Sequence, residues 1–219
     1  MIQRFVTLSV TVAAIAACAN ADTVTARYNG LYQQDTNVTL TSVFSGNVPA
    51  VTFEWTRQDA PGPGIDVSLP TVFRAYCVEL DQNVAPATDY VFDVQTPAMR
   101  GYTPLQEVLL GRLWSSYQSS VVDGDTSSAF QIAVWELAFD TGADLAAGVF
   151  TGNSPAAVVA LSQSWLNAVS SSGYSGGQSP ISILHSENVQ DQLVPTPGSL
   201  GLIAAGSIVI LRRRRSSVA

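Results

Sequence analysis

Two residues of this chain could do covalent chemistry together, Cys77 and Gln131. The sequence holds two cysteines, and Cys18 lies in an N-terminal stretch that has the pattern of a removable leader. Cys77 is then the lone cysteine of the mature chain and has no partner for an intrachain disulfide. Gln131 sits in Ala129-Phe130-Gln131-Ile132-Ala133-Val134-Trp135-Glu136-Leu137-Ala138-Phe139, which is apolar nearly all round a helix. Its neighbours one turn away are Ser127, Ser128, Val134 and Trp135, so the amide is at least partly buried. An unsatisfied buried amide costs about 1–3 kcal/mol, so it needs a partner. Two solutions are open. The amide can hydrogen-bond to strand backbone while Cys77 packs as a small hydrophobe. Alternatively, a thiolate pressed against the amide carbonyl can expel ammonia and leave a Cys–Gln thioester, provided water is kept out until a nucleophile arrives.

Other constellations are thinner. His185 is the sole histidine and no nucleophile elbow accompanies it, so a Ser-His-Asp triad is not supported and a surface position is expected. Asp123-Gly124-Asp125-Thr126 lacks the remaining ligands of a calcium loop and reads as a turn and helix cap. Glu79 and Asp81 are paired carboxylates with no second pair opposite them, and Asn37-Val38-Thr39 is a glycosylation sequon by pattern. No metal set, cofactor motif or catalytic group is identified.

Positioning Cys77 against Gln131 requires strands first and helices later. From Thr23 to Thr96 the chain is rich in β-branched and aromatic residues, as in Val38–Phe44, Val51–Trp55, Thr71–Leu80 and Tyr90–Val94. Turn residues separate these runs at Ser45-Gly46-Asn47, Ala60 to Gly64 and Asn83 to Pro86. The period then becomes helical. Leu105, Val108, Leu109, Leu113 and Trp114 predict a helix over Pro104–Tyr117. A second helix follows Asp125, with Thr126 as its cap and Thr141-Gly142 at its end. A third runs from Ser154 to about Val169, and Ile181–Leu184 and Val189–Val194 look like closing strands. The fold class expected is α+β, a β-sandwich with a helical insertion.

The flanks of the pair resemble the thioester domains of bacterial surface adhesins. The match is carried by Tyr76-Cys77 in the β part and by Gln131-Ile132-Ala133-Val134-Trp135 later, and it spans roughly residues 30–193. Phe130 stands where adhesins often have Thr before the glutamine. The resemblance implies that Cys77 and Gln131 form the bond and that Tyr76 and Trp135 pack beside it. It also implies covalent capture of an extracellular amine- or hydroxyl-bearing target.

The two ends speak of export. Residues 1–21 have a charged n-region at Arg4, an apolar stretch from Phe5 to Ala17 and an Ala19-Asn20-Ala21 cleavage pattern. Ile15-Ala16-Ala17-Cys18 offers a competing lipobox. At the other end, Val194-Pro195-Thr196-Pro197-Gly198 precedes an uncharged run over 199–211 and then Arg212, Arg213, Arg214 and Arg215. That run would span about 20 Å as a helix, short of the ~30 Å hydrocarbon core, so it suits a temporary transmembrane anchor in the inner membrane. The arginines place the bulk of the chain outside the cytoplasm. This three-part tail over 194–215 resembles the PEP-CTERM sorting signal, with Pro-Thr-Pro in place of Pro-Glu-Pro, which implies an exosortase-type processing enzyme as partner.

Between the ends, residues 22–193 hold all 17 acidic residues of the chain against five arginines and no lysine. Nucleic acid and anionic membrane surfaces need a basic face and are disfavoured as partners. Lack of lysine also limits capture of sister copies by an acylating bond. The sequence therefore points to a non-enzymatic exported surface or extracellular-matrix protein with a Cys77–Gln131 thioester. Its rival is a structural or carbohydrate-associated matrix protein in which Cys77 is a buried free thiol.

Overall fold

The computed structural model describes residues 23–32, 37–40, 46–59 and 69–196. The leader over 1–21, Pro197, Gly198, the apolar run 199–211 and Arg212 to Arg215 lie outside the described residues. Among those described, no helix is long and apolar enough to cross a membrane.

The fold is α+β. Its strands are β1 (Thr23–Tyr32), β2 (Asn37–Leu40), β3 (Gly46–Pro49), β4 (Thr52–Arg57), β5 (Val72–Cys77) and β6 (Asp89–Gln95), followed after the first two helices by β7 (Gly152–Asn153), and at the end by β8 (Ile181–His185) and β9 (Gln192–Pro195). The helices are α1 (Pro104–Tyr117), α2 (Gly124–Phe139) and α3 (Ala156–Ser170). Six strands close into an antiparallel barrel in the order β1-β4-β5-β9-β8-β6, and a small sheet has the order β3-β2-β7.

A closed barrel replaces the expected two-layer sandwich. The reason lies in β1, which pairs with β6 through residues 23–27 and with β4 through residues 26–32. The register slips between Tyr28 and Gly30, and Gly30 has φ +140°, a conformation glycine adopts without strain. That bulge bends one long strand across the closure. The β8–β9 hairpin then bridges β6 to β5, so the six-stranded sheet is left with no free edge. Inward-outward alternation has the same period in a sandwich and a barrel, so the sequence could not separate them.

Alternation sorts the core into two parts. Val24, Ala26 and Tyr28 of β1, Phe53 and Trp55 of β4 and Phe73, Ala75 and Cys77 of β5 are buried at every second position and fill the barrel. Tyr76 has the opposite parity and is also wholly buried, because the helices cover β5 from outside. Its ring lies 4.4 Å from Phe130 and 5.6 Å from Trp114, centroid to centroid.

The helices start where local chemistry allows. Thr103 caps α1 in a capping box with Gln106, and Pro104 takes the first helical position. In α2 the cap is Asp123, not Thr126. Thr126 sits three residues on and returns a hydrogen bond to the Asp123 backbone, the reciprocal half of the box. α2 ends at Phe139, before the expected Thr141-Gly142. Pro155 caps α3 rather than opening it. The tail motif begins inside the barrel. Val194 pairs with Ser182 and Pro195 with Ile181, while the Thr196 N–H donates to Pro180 O at 2.8 Å.

Candidate functional site

β5 and α2 bring Cys77 and Gln131 together. Cys77 is the last residue of β5, at the mouth of the barrel, where β4 no longer supplies it with a partner on that edge. Gln131 occupies the vacant place. Its Oε1 accepts from the Cys77 N–H at 3.0 Å and its Nε2 donates to the Cys77 carbonyl at 2.8 Å. The side-chain amide thus extends the sheet by one pseudo-peptide. Both residues are 0% exposed. Helix α2 is anchored at the same place by Ser127, whose Oγ accepts from the Thr52 N–H at 2.8 Å, and by Ser128, which donates to Ala50 O at 2.7 Å. The two serines next to Gln131 thus dock its helix on β4 and set the amide's height.

The thiol is held as well. Cys77 Sγ donates to the Glu79 carbonyl. Burial pushes the thiol up to about 12, against the pull of that hydrogen bond and of Trp135, so it carries its proton at neutral pH. Cys77, but not Gln131, lines a cleft of about 340 Å³ formed with Tyr28, Phe53, Leu80, Val84, Trp135 and others. Tyr28 and Phe53 face into the barrel, so this cleft is the barrel's open end.

Acyl chemistry at the Gln131 carbonyl would find one donor already in place. If Sγ attacks Cδ, negative charge develops on Oε1, where the Cys77 N–H already stands at hydrogen-bond distance. The thiol proton leaves with ammonia, so the step needs no outside reagent. The amide is at the same time fully paired, as a purely structural glutamine would be.

Tyr76 packs in the helical layer, and Trp135 stands one turn beyond Gln131 against Phe150. Of the tail motif, Val194 and Pro195 end β9, the strand whose Gln192 pairs with Cys77, and Thr196 follows them. Asp123-Gly124-Asp125-Thr126 forms the α2 cap, and among the described residues no group of three or more His, Cys, Asp or Glu could hold a metal ion.

His185 is not the free surface residue expected. Its Nδ1 lies 2.8 Å from Asp191 Oδ1, and Arg100 Nε donates to Asp191 Oδ2 at 3.1 Å. Asp191 is anchored to Glu79 in turn, its N–H donating to Glu79 Oε2 at 3.2 Å. Glu79 is raised from its ordinary value, first by burial. With Asp81, Tyr102 and Gln106, the cluster's Glu79, Arg100 and Asp191 wall a second, polar cleft of about 450 Å³. Sequence reasoning noticed Glu79 and Asp81 but not Arg100 and Asp191, which are 91 residues apart in the chain. Glu136 was missed too. It is 0% exposed, its Oε1 accepts from the Asp144 N–H at 2.9 Å, and Oε2 meets no partner among the described residues. Burial, with Asp140 and Asp144 nearby, pushes its carboxyl up to about 7. Its place in an otherwise apolar helix run was the available signal.

No family model, no curated protein and no solved structure matches this chain.

Proposed function

We propose that the chain is a non-enzymatic exported surface or extracellular-matrix protein that holds a partner covalently through a Cys77–Gln131 thioester. The observation that carries this is the buried seat of the Gln131 amide on the backbone of Cys77, a residue that lines an open cleft. A nucleophilic amine or, less readily, a hydroxyl on the partner attacks the Gln131 carbonyl and releases the Cys77 thiol. The leader, the short apolar run and the four arginines supply delivery, with an exosortase-type enzyme acting on the tail. Val194, Pro195 and Thr196 of that tail are hydrogen-bonded into the barrel, so a cut that spares the fold must fall after Thr196.

The rival reading keeps the location and drops the bond. It is favoured by one observation, that the Gln131 amide and the Cys77 thiol each already have hydrogen-bond partners. Intact mass of the secreted domain separates the two. Thioester formation removes one ammonia, about 17 Da, and Cys77→Ala or Gln131→Ala must restore the full mass. A wild-type domain of full mass with a titratable thiol would establish the structural reading instead. Delivery is tested separately, by placing an epitope after Ala219 and asking whether it is lost from the mature protein.

A further inference from the structure

Trp135 carries a polar group that neither packing nor the fold explains. It stands four residues after Gln131, so the two side chains share a face of α2. The residue is 1% exposed and its ring packs 6.1 Å from Phe150. Its indole Nε1–H meets no partner at hydrogen-bond geometry among the described residues, a penalty that an all-carbon aromatic side chain would avoid. Trp135 and Cys77 line the same cleft, and after Glu79 O the indole is the neighbour that favours the charged form of the thiol, against burial. The sulphur meanwhile gives its own proton to Glu79 O. A protonated thiol is a poor acceptor for this N–H, whereas a charged sulphur would be a strong one.

We propose that the Trp135 indole N–H is the donor that receives the Cys77 sulphur as leaving group when an acceptor opens the thioester. This rests on the thioester reading given above. In the closed bond Sγ is joined to Gln131 Cδ and carries no proton, so its tie to Glu79 O is gone. The acceptor enters by the cleft and its nitrogen or oxygen lone pair adds to Cδ. Oε1 takes the charge beneath the Cys77 N–H. When the carbonyl re-forms, the Cδ–Sγ electron pair passes to sulphur, and the acceptor's proton follows it to give the thiol. The product is an amide or ester on Gln131. Between those events the sulphur is anionic in a dry site, and a donor that strengthens only then lowers the barrier rather than tightening the resting state.

The test uses Trp135→Phe in the secreted chain with methylamine as the acceptor. The variant should keep the mass loss of about 17 Da yet open roughly tenfold more slowly, the effect of one hydrogen bond to developing charge. A second arm does not need the thioester. In a Gln131→Ala background, adding Trp135→Phe should move the midpoint of thiol alkylation by iodoacetamide to higher pH. A third arm uses the wild-type side chains, with the four tryptophans isotope-labelled. Methylamine should shift one indole N–H resonance, the one that Trp135→Phe deletes. Equal opening rates, an unmoved alkylation midpoint or unmoved indole signals would each overturn the proposal. A wild-type chain of full mass would sink the thioester reading, and the alkylation arm would still decide whether the indole holds the sulphur.

Discussion

Two buried glutamines on neighbouring helices show how one side chain can serve different ends. Gln106 lies at the junction of the α1 N-terminus and the α2 C-terminus. Its Oε1 accepts from the Thr103 N–H at 2.9 Å, and its Nε2 is shared among Leu137 O, Ala138 O and Asp140 O at 3.1, 3.1 and 3.2 Å. Those are helix-end groups that have no partner within their own helices. Gln131 lies at the junction of α2 and β5 and satisfies the two backbone groups of one residue, Cys77. Gln106 joins two helix ends, and the side chain bonded to it is the Thr103 hydroxyl, which donates to Oε1 at 3.0 Å. Gln131 joins a helix to a strand whose end residue is a thiol. Both amides are hydrogen-bonded, so under the proposed function the difference would lie in the side chain set beside each, a hydroxyl at Gln106 and a thiol at Gln131.

The largest effect should come from Gln131→Ala. It removes the acyl carbon and leaves the Cys77 N–H and C=O buried without partners, so stability should fall by about 2–4 kcal/mol in denaturant titration. The mass loss of about 17 Da should vanish as well. Gln106→Ala should also destabilise, by about 2–3 kcal/mol, because three carbonyls and the α1 cap lose their partner. It should leave the mass loss intact, and a Gln106 variant of full mass would break the distinction drawn between the two sites.

A smaller effect bears on the end of α2 that Gln106 closes. The Glu136 carboxyl stands at about 7 in the folded chain against 4.5 as its ordinary value. The unfolded chain releases this proton first as pH rises. Stability is therefore highest below about pH 4.5, falls through the interval up to about 7, and is level above it as far as this group is concerned. Glu136→Gln should flatten that fall, worth on the order of 2 kcal/mol, in melts compared at pH 5 and pH 7.5. A wild-type slope that survives the substitution would assign it to another group. The smallest effect expected is that of Thr103→Ala. It removes half of the α1 capping box and should cost about 1 kcal/mol, with the Gln131 chemistry untouched.

Much of this was legible beforehand. Periodicity placed α1 at Pro104–Tyr117, the bounds observed, because its start is set by Thr103 and Pro104 and its stripe by Leu109, Leu113 and Trp114. The burial of Gln131 followed from an apolar run too uniform to face water. The α2 cap was misplaced by three residues because Asp123 and Thr126 bond to each other's backbone, and either can read as the cap from sequence. The Arg100–Asp191–His185 cluster was hidden because its members meet only after the barrel closes.

The sequence by itself determined the three helices and most of the barrel strands, though not β3, where Gly46-Asn47 reads as a turn, nor β7; it also determined which residues are apolar enough to be buried, and that a lone thiol and a buried amide would need an explanation. These are local properties, set by side-chain period, capping chemistry and solubility. Tertiary structure decided that the strands close into a barrel, that Cys77 ends its strand at the open mouth, and that Gln131 is the group that completes it. Those depend on register, and on a bulge at Gly30 that steers β1 across the closure. No window of sequence records which strand edge is left unpaired, since an edge exists only once every other strand has taken its place.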